Sequence, residues 1–173
     1  MAPVKDILFI GDSLIEFFDW EERFPRHRVE NLGVSGETVQ WLLERIDRIV
    51  STHPRADMVF LMTGINNLAM EEPGFIGEYR EILGKLAAAY PQARIYITSL
   101  LPTLLPWVKS RAVEQANVRL RDLAEETGAF YLDIHKAFME GNLRELLSED
   151  GVHLSEKGYA LWSRIIAGII EPS

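Results

Sequence analysis

Ile7-Leu8-Phe9-Ile10-Gly11-Asp12-Ser13-Leu14 begins with four apolar residues that run straight into Gly-Asp-Ser. An unbroken apolar run of this length reads as a strand buried on both faces, as in a parallel sheet. Gly11 and Asp12 end it with turn chemistry. Ser13 then stands at the carboxyl end of a strand, the edge on which open α/β sheets bind ligands. Taken alone, a serine there is equally well a piece of the turn, and the rest of the chain decides between the two readings.

The pattern of strand and then helix repeats along the chain. Residues 4–10 read as the first strand, 14–20 as a short helix, and 26–32 as a short strand that closes on Gly33-Val34-Ser35-Gly36. From Glu37 onward, Val39, Leu42, Leu43, Ile46, Ile49 and Val50 recur at three and four residues, which predicts a helix that Pro54 stops. Met58 to Met62 is a second doubly buried strand, followed by the turn residues Thr63-Gly64-Ile65-Asn66-Asn67. A helix over residues 75–90 carries Phe75, Tyr79, Ile82, Leu83 and Leu86 on one face, and a strand over 95–100 leads into the apolar loop Pro102-Thr103-Leu104-Leu105-Pro106-Trp107-Val108. A further helix begins near Ser110 with Gly128 as its C′ residue, and a last strand spans 129–132. Residues 143–147 suit a helical turn. Ser155 suits the N-cap of a final helix whose core face is Leu161, Trp162, Ile165, Ile166 and Ile169. Five strand–helix alternations predict an α/β fold, a three-layer α/β/α sandwich around a parallel sheet, with residues 1–173 as one domain.

Composition narrows the function. The 173 residues are 47% apolar and 25% charged, as in ordinary globular proteins. Twenty-six acids against 18 bases give a net charge of −8, which argues against nucleic acid as a partner because phosphate contact needs clustered Lys and Arg. The absence of cysteine excludes disulfides, a thiol nucleophile and thiolate metal sites. No apolar run reaches the length of a membrane span, and no signal peptide is visible ahead of the first strand, so the cytoplasm is the expected location. Composition leaves a homo-oligomer open.

Three turns follow strands on what a doubly wound sheet makes one edge: Gly11-Asp12-Ser13, Gly33-Val34-Ser35-Gly36 and Gly64-Ile65-Asn66-Asn67. Asp150-Gly151-Val152-His153 stands before the last helix. Acyl transfer to a serine needs an attacking hydroxyl, an imidazole to take its proton, a carboxylate to orient the imidazole, and donors facing the oxyanion. Ser13, His153 and Asp150 supply the first three. The backbone N–H groups of Ser13 and Gly36 and the side-chain amide of Asn66 supply the donors. Each piece alone has a plainer reading: a turn glycine, a turn asparagine, a helix-start aspartate, a half-buried histidine. An Asp-x-x-His pair also suits a metal, but no second histidine or acidic cluster lies at ligand spacing, so no metal is expected. His27 and His53 read as surface-turn residues. Asp133 and His135 alternate on an extended segment and stay out of the triad.

These blocks resemble those of the SGNH, or GDSL, hydrolases. Gly11-Asp12-Ser13-Leu14 is similar to the first block, Asn31-Leu32-Gly33-Val34-Ser35-Gly36-Glu37-Thr38 to the second, Gly64-Ile65-Asn66-Asn67 to the third and Asp150-Gly151-Val152-His153 to the fifth. The resemblance spans nearly the whole chain. It implies a flavodoxin-like sheet of five parallel strands in the order 2-1-3-4-5, and ester hydrolysis through an acyl-enzyme without a cofactor. It looks nearest to the platelet-activating-factor acetylhydrolase-like branch. Many relatives carry Asp where this chain has Asn67, which changes a charge beside the site. The expectation is a serine esterase for small acyl esters. Carbohydrate O-deacetylation and thioester hydrolysis by the same machinery are the alternatives, and a binding module without turnover is the competing class. The candidate pocket draws on Asp12, Leu14, Asn67 and Trp107, with Ile15 and Met70 beside them, because apolar loop residues near Ser13 suit the wall of a ligand site.

Overall fold

The computed structural model describes residues 3–172. In chain order its elements are β1 (Asp6–Gly11), α1 (Ser13–Glu16), α2 (Trp20–Arg23), β2 (Arg28–Gly33), α3 (Val39–Thr52), β3 (Met58–Met62), α4 (Ile65–Ala69), α5 (Ile76–Ala89), β4 (Arg94–Thr98), α6 (Ser110–Thr127), β5 (Phe130–Leu132), α7 (Ile134–Met139), α8 (Leu143–Leu146) and α9 (Glu156–Ile170). All strand pairs are parallel, and the sheet order is β2-β1-β3-β4-β5. This is the flavodoxin-like order, with helices flanking the sheet.

The two apolar runs that define the sheet are its interior strands. Ile7 to Ile10 and Met58 to Met62 are buried throughout, which is why neither run alternates with polar residues. Register sets Phe9 beside Phe60, Phe60 beside Tyr96 and Tyr96 beside Phe130. Their rings stack with centroids 5.1, 4.9 and 5.2 Å apart, and Trp20 closes the row at 4.1 Å from Phe9. Trp162 of α9 meets Trp20 edge-on at 5.1 Å, which docks the last helix onto the same aromatic layer. In the opposite layer α3 packs against α5, and α5 against α6. Gly11 is required where β1 passes β3, because a Cβ there would lie 1.9 Å from the Met62 carbonyl oxygen.

Helix ends follow local chemistry. The Ser155 hydroxyl accepts from the Gly158 N–H at the start of α9, and Gly128 takes the left-handed conformation (φ 76°) that ends α6.

The structure departs from the sequence reading in several places. The expected turn at residues 65–67 is the start of α4, because Ile65 and Leu68, three residues apart, both turn into the core. The chain does not stay extended beyond Leu132: Asp133 caps α7 by accepting from the Lys136 N–H at 3.0 Å. The core face of α9 is rotated, with Tyr159, Trp162, Ile166 and Ile170 buried and Leu161, Ile165 and Ile169 only partly covered. His27 is not a surface residue, since its side chain is 4% exposed and its Nδ1 accepts from the Lys5 N–H. Among the described residues no helix is long and apolar enough to cross a membrane.

Candidate active site

The three turns and the segment before α9 meet at the carboxyl edge of the sheet. Ser13 is the first residue of α1 and is seated by its neighbours: Asp12 Oδ1 accepts from the Leu14 N–H at 3.0 Å, and the Asp12 carbonyl accepts from the Ile15 and Glu16 N–H groups. The side chain emerges from an otherwise buried turn, so the residue is 8% exposed.

Ser13 Oγ lies 2.9 Å from His153 Nε2, and His153 Nδ1 lies 2.5 Å from Asp150 Oδ2. A carboxylate can only accept, so Nδ1 carries the proton and Nε2 is left to accept from the Ser13 hydroxyl. Asp150 is itself held. Its Oδ1 accepts from the Ser148 hydroxyl and from the N–H groups of Val152 and His153 at 2.8–2.9 Å. Partial burial works against its charge, but the His153 imidazole N–H, followed by the Val152, His153 and Ser148 donors on Oδ1, outweighs burial and holds the carboxyl well below the usual carboxylate range. It is therefore ionised wherever the imidazole can be neutral. Gly151, between them, has φ 76°, the left-handed geometry that bends the segment back so that Asp150 and His153 face one another. Phe17, four residues after Ser13, lies with its ring 5.0 Å from that of His153 and is 56% exposed.

Asn66 sits in the first turn of α4, and its Nδ2 donates to the Glu37 carbonyl at 2.9 Å. An amide has two N–H groups, so this bond orients the side chain and leaves the second available. The turn that supplies Glu37 is anchored underneath. The buried Glu37 carboxylate pairs with Arg45, which also donates to the Leu32 carbonyl at 2.7 Å. Burial pushes the Glu37 carboxyl up, and Arg45 works against that rise. Gly36 has φ 76°, and a Cβ built on it would meet no atom within 4 Å, so its backbone is open on that side.

Three of the four residues expected to line a pocket are interior. Leu14 is 2% exposed and packs into the core, as does Ile15 beside it. Asp12 is fully buried as the cap of α1. Asn67 is fully buried because its Oδ1 accepts from the Val39 N–H and its Nδ2 donates to Gln40, tying α4 to the start of α3. Asn67 is thus a structural tie, not a pocket wall. Trp107 is exposed and lines a groove of about 220 Å³ with Leu68, Glu71, Pro73, Val108, Lys109 and Ala112. Its loop joins the Asp150–His153 segment where the Leu104 N–H donates to the Gly151 carbonyl at 2.7 Å. Sequence reasoning missed Phe17, Ser148 and the Glu37–Arg45 pair. Only Phe17 carried a signal, its one-helical-turn spacing from Ser13.

A 2-1-3-4-5 parallel sheet that brings a serine, a histidine and an aspartate into one hydrogen-bonded line at its carboxyl edge defines an α/β hydrolase of the SGNH type. The chain belongs to the GDSL-like Lipase/Acylhydrolase family, which matches residues 9–161, and is therefore an acylhydrolase or esterase. It is 28% identical over 173 residues to the human platelet-activating factor acetylhydrolase IB subunit alpha1, covering 95% of this chain and 75% of that protein. The Pongo abelii form is 27% identical over 176 residues with the same coverage. Among solved structures, a GDSL-like lipase from Bacteroides thetaiotaomicron superposes with a TM-score of 0.81 at 23% identity, covering 99% of this chain and 92% of that one. A catalytic mutant of an acetylxylan esterase from Geobacillus stearothermophilus also gives 0.81, at 21% identity and 100% and 97% coverage. These two structural likenesses are likenesses of fold.

Proposed function

We propose that the protein is a serine esterase that hydrolyses small acyl esters through an acyl-enzyme, with no cofactor. His153 Nε2 takes the proton of Ser13 as its Oγ bonds to the ester carbonyl carbon, and the carbonyl electron pair moves onto oxygen. That oxyanion is met by the N–H groups of Ser13 and Gly36 and by Asn66 Nδ2. Asp150 balances the imidazolium and fixes its tautomer. Collapse breaks the bond to the alkoxide, which leaves with the proton from His153. Water deprotonated by the same imidazole then attacks the acyl carbon, and Ser13 recovers its proton as the acid departs.

The observation that carries this reading is the continuous hydrogen-bonded line from Ser13 through His153 to Asp150. The preference for short acyl groups rests on the loop 102–108, which two prolines stiffen and which is tied to Gly151 beside His153. In this reading Trp107 limits the acyl chain on that side.

The test is hydrolysis of p-nitrophenyl esters of increasing acyl length. The wild type is expected to prefer the short esters, acetate through butyrate, over long-chain esters in a graded way, because one methylene contact changes discrimination by about 1–3 kcal/mol. Trp107→Ala should raise kcat/KM on the longer esters relative to acetate by about tenfold, one such contact. A wild type that prefers long chains, or a mutant with an unchanged chain-length profile, removes the short-chain assignment. No hydrolysis of any ester removes the esterase reading itself.

A further inference from the structure

Directly behind Ser13 lies a carboxyl group that the triad does not use. Asp12 is fully buried, its Oδ1 is taken by the Leu14 N–H, and its Oδ2 finds no hydrogen-bond partner among the described residues. Two other buried hydroxyls share this condition, Thr63 Oγ1 and Tyr79 Oη. Thr63 follows Met62 as Asp12 follows Gly11, and Gly11 and Met62 are paired in register, so Thr63 stands next to Asp12 at the strand ends. The phenol of Tyr79, in the first turn of α5, is close enough for the Asp12 charge to act on it. Tyr159 of α9 feels the same charge, but its hydroxyl is already given to the Leu14 carbonyl at 2.9 Å. The charged groups that act on Asp12 are Glu37, which Arg45 neutralises, and His153, which Asp150 neutralises.

A carboxylate in this position has a second oxygen with neither a donor nor a cation to itself, and burying such a charge is costly. A carboxylic acid avoids that cost: its Oδ1 still caps α1, and protonation removes the charge from a buried oxygen that no donor among the described residues meets. Burial, opposed by the Leu14 N–H and aided by Glu37, pushes the carboxyl up to about 7.

We propose that Asp12 is a positioning residue that works as an uncharged carboxylic acid behind Ser13, and that its ionisation slows the acylation step. The inference rests on the serine esterase reading. Its cause is electrostatic. The reaction creates an oxyanion at the Ser13 N–H, one peptide from Asp12. A second buried negative charge there raises the energy of that state, and at low effective dielectric the repulsion is large. The imidazolium that would offset it is already balanced by Asp150 at 2.5 Å. The charge acts on a state formed only during reaction, so kcat should respond and KM should not.

The experiment compares kcat against pH for the wild type and for Asp12→Asn, whose amide keeps the cap and cannot ionise. Above the ionisation the wild type is expected to lose kcat about tenfold per pH unit, while the variant loses this alkaline descent. Infrared difference spectra between about pH 5.5 and about pH 9, outside the ordinary carboxyl range, give a reading that does not depend on turnover. The wild type should show a protonated-carboxyl carbonyl band that disappears at the higher pH, and Asp12→Asn should lack it. Superposable pH profiles, or no such band in the wild type, overturn the proposal. So does a folded Asp12→Asn variant without activity at any pH, which would mean that the charge is required. A wild type that hydrolyses no ester but shows the band counts against the esterase reading and leaves the buried acid standing.

Discussion

Ser13→Ala is expected to leave the protein folded and to lower kcat by about a thousandfold or more. The Ser13 hydroxyl makes one hydrogen bond, to His153 Nε2, on a ring that is 31% exposed and can take water instead. Its removal therefore strands no buried polar group. The start of α1 is capped by Asp12 and not by Ser13, so the helix survives the change. Thermal melting should move little while hydrolysis of p-nitrophenyl acetate nearly disappears. Residual rate should be that of oxyanion donors acting on attack by water. A fluorophosphonate probe should label the wild type at Ser13, since the reagent reports the same activated hydroxyl. A variant with wild-type kcat, or a label mapped to another serine, would sink the mechanism.

The parts of this site that sequence revealed are those fixed by short-range rules. Ile7 to Ile10 and Met58 to Met62 lie in strands buried on both faces, and such strands announce themselves as unbroken apolar runs. Ser155 and Gly128 act as helix caps through contacts within three residues or through their own backbone angle. Ser13, Asp150 and His153 stand in local blocks, and the Asp-x-x-His spacing lets the carboxylate reach the ring across one turn. Residues whose role depends on distant chain were not legible. Turn-forming Asn66 and Asn67 also suit a helix start, and it was the packing of Ile65 and Leu68 into the core that selected α4. Asp133 is a local helix cap, accepting from the Lys136 N–H three residues on, that the extended reading of its segment passed over. Leu14 read as a pocket wall because exposure is a tertiary property, and it is the interior of β1–α1 that receives it. Phe17 against His153, and Arg45 beneath the Gly36–Glu37 turn, join elements that the linear pattern cannot bring together.

The adjacent asparagines of α4 show how such assignments separate under mutation. Asn66→Ala should lower kcat by about a hundredfold or more with little change in KM, because an oxyanion donor meets charge that exists mainly in the transition state. Its stability cost should be small, since the lost bond is one partly exposed contact to the Glu37 carbonyl. Asn67→Ala should do the reverse. Asn67 is fully buried, and its loss leaves the Val39 N–H at the start of α3 without an acceptor and Gln40 without a donor. A helix-start N–H stranded in the interior costs about 1–3 kcal/mol. For a chain of this size each kcal/mol corresponds to about 2–4 °C in Tm. The Asn67→Ala variant should therefore melt several degrees lower while keeping kcat within about tenfold of wild type, the residual loss coming from looser seating of Asn66 beside it. Measuring kcat and Tm on both variants separates the roles. If Asn67→Ala abolished turnover while Asn66→Ala only lowered Tm, the oxyanion donor would be the buried amide, and the role given to Asn66 would be wrong.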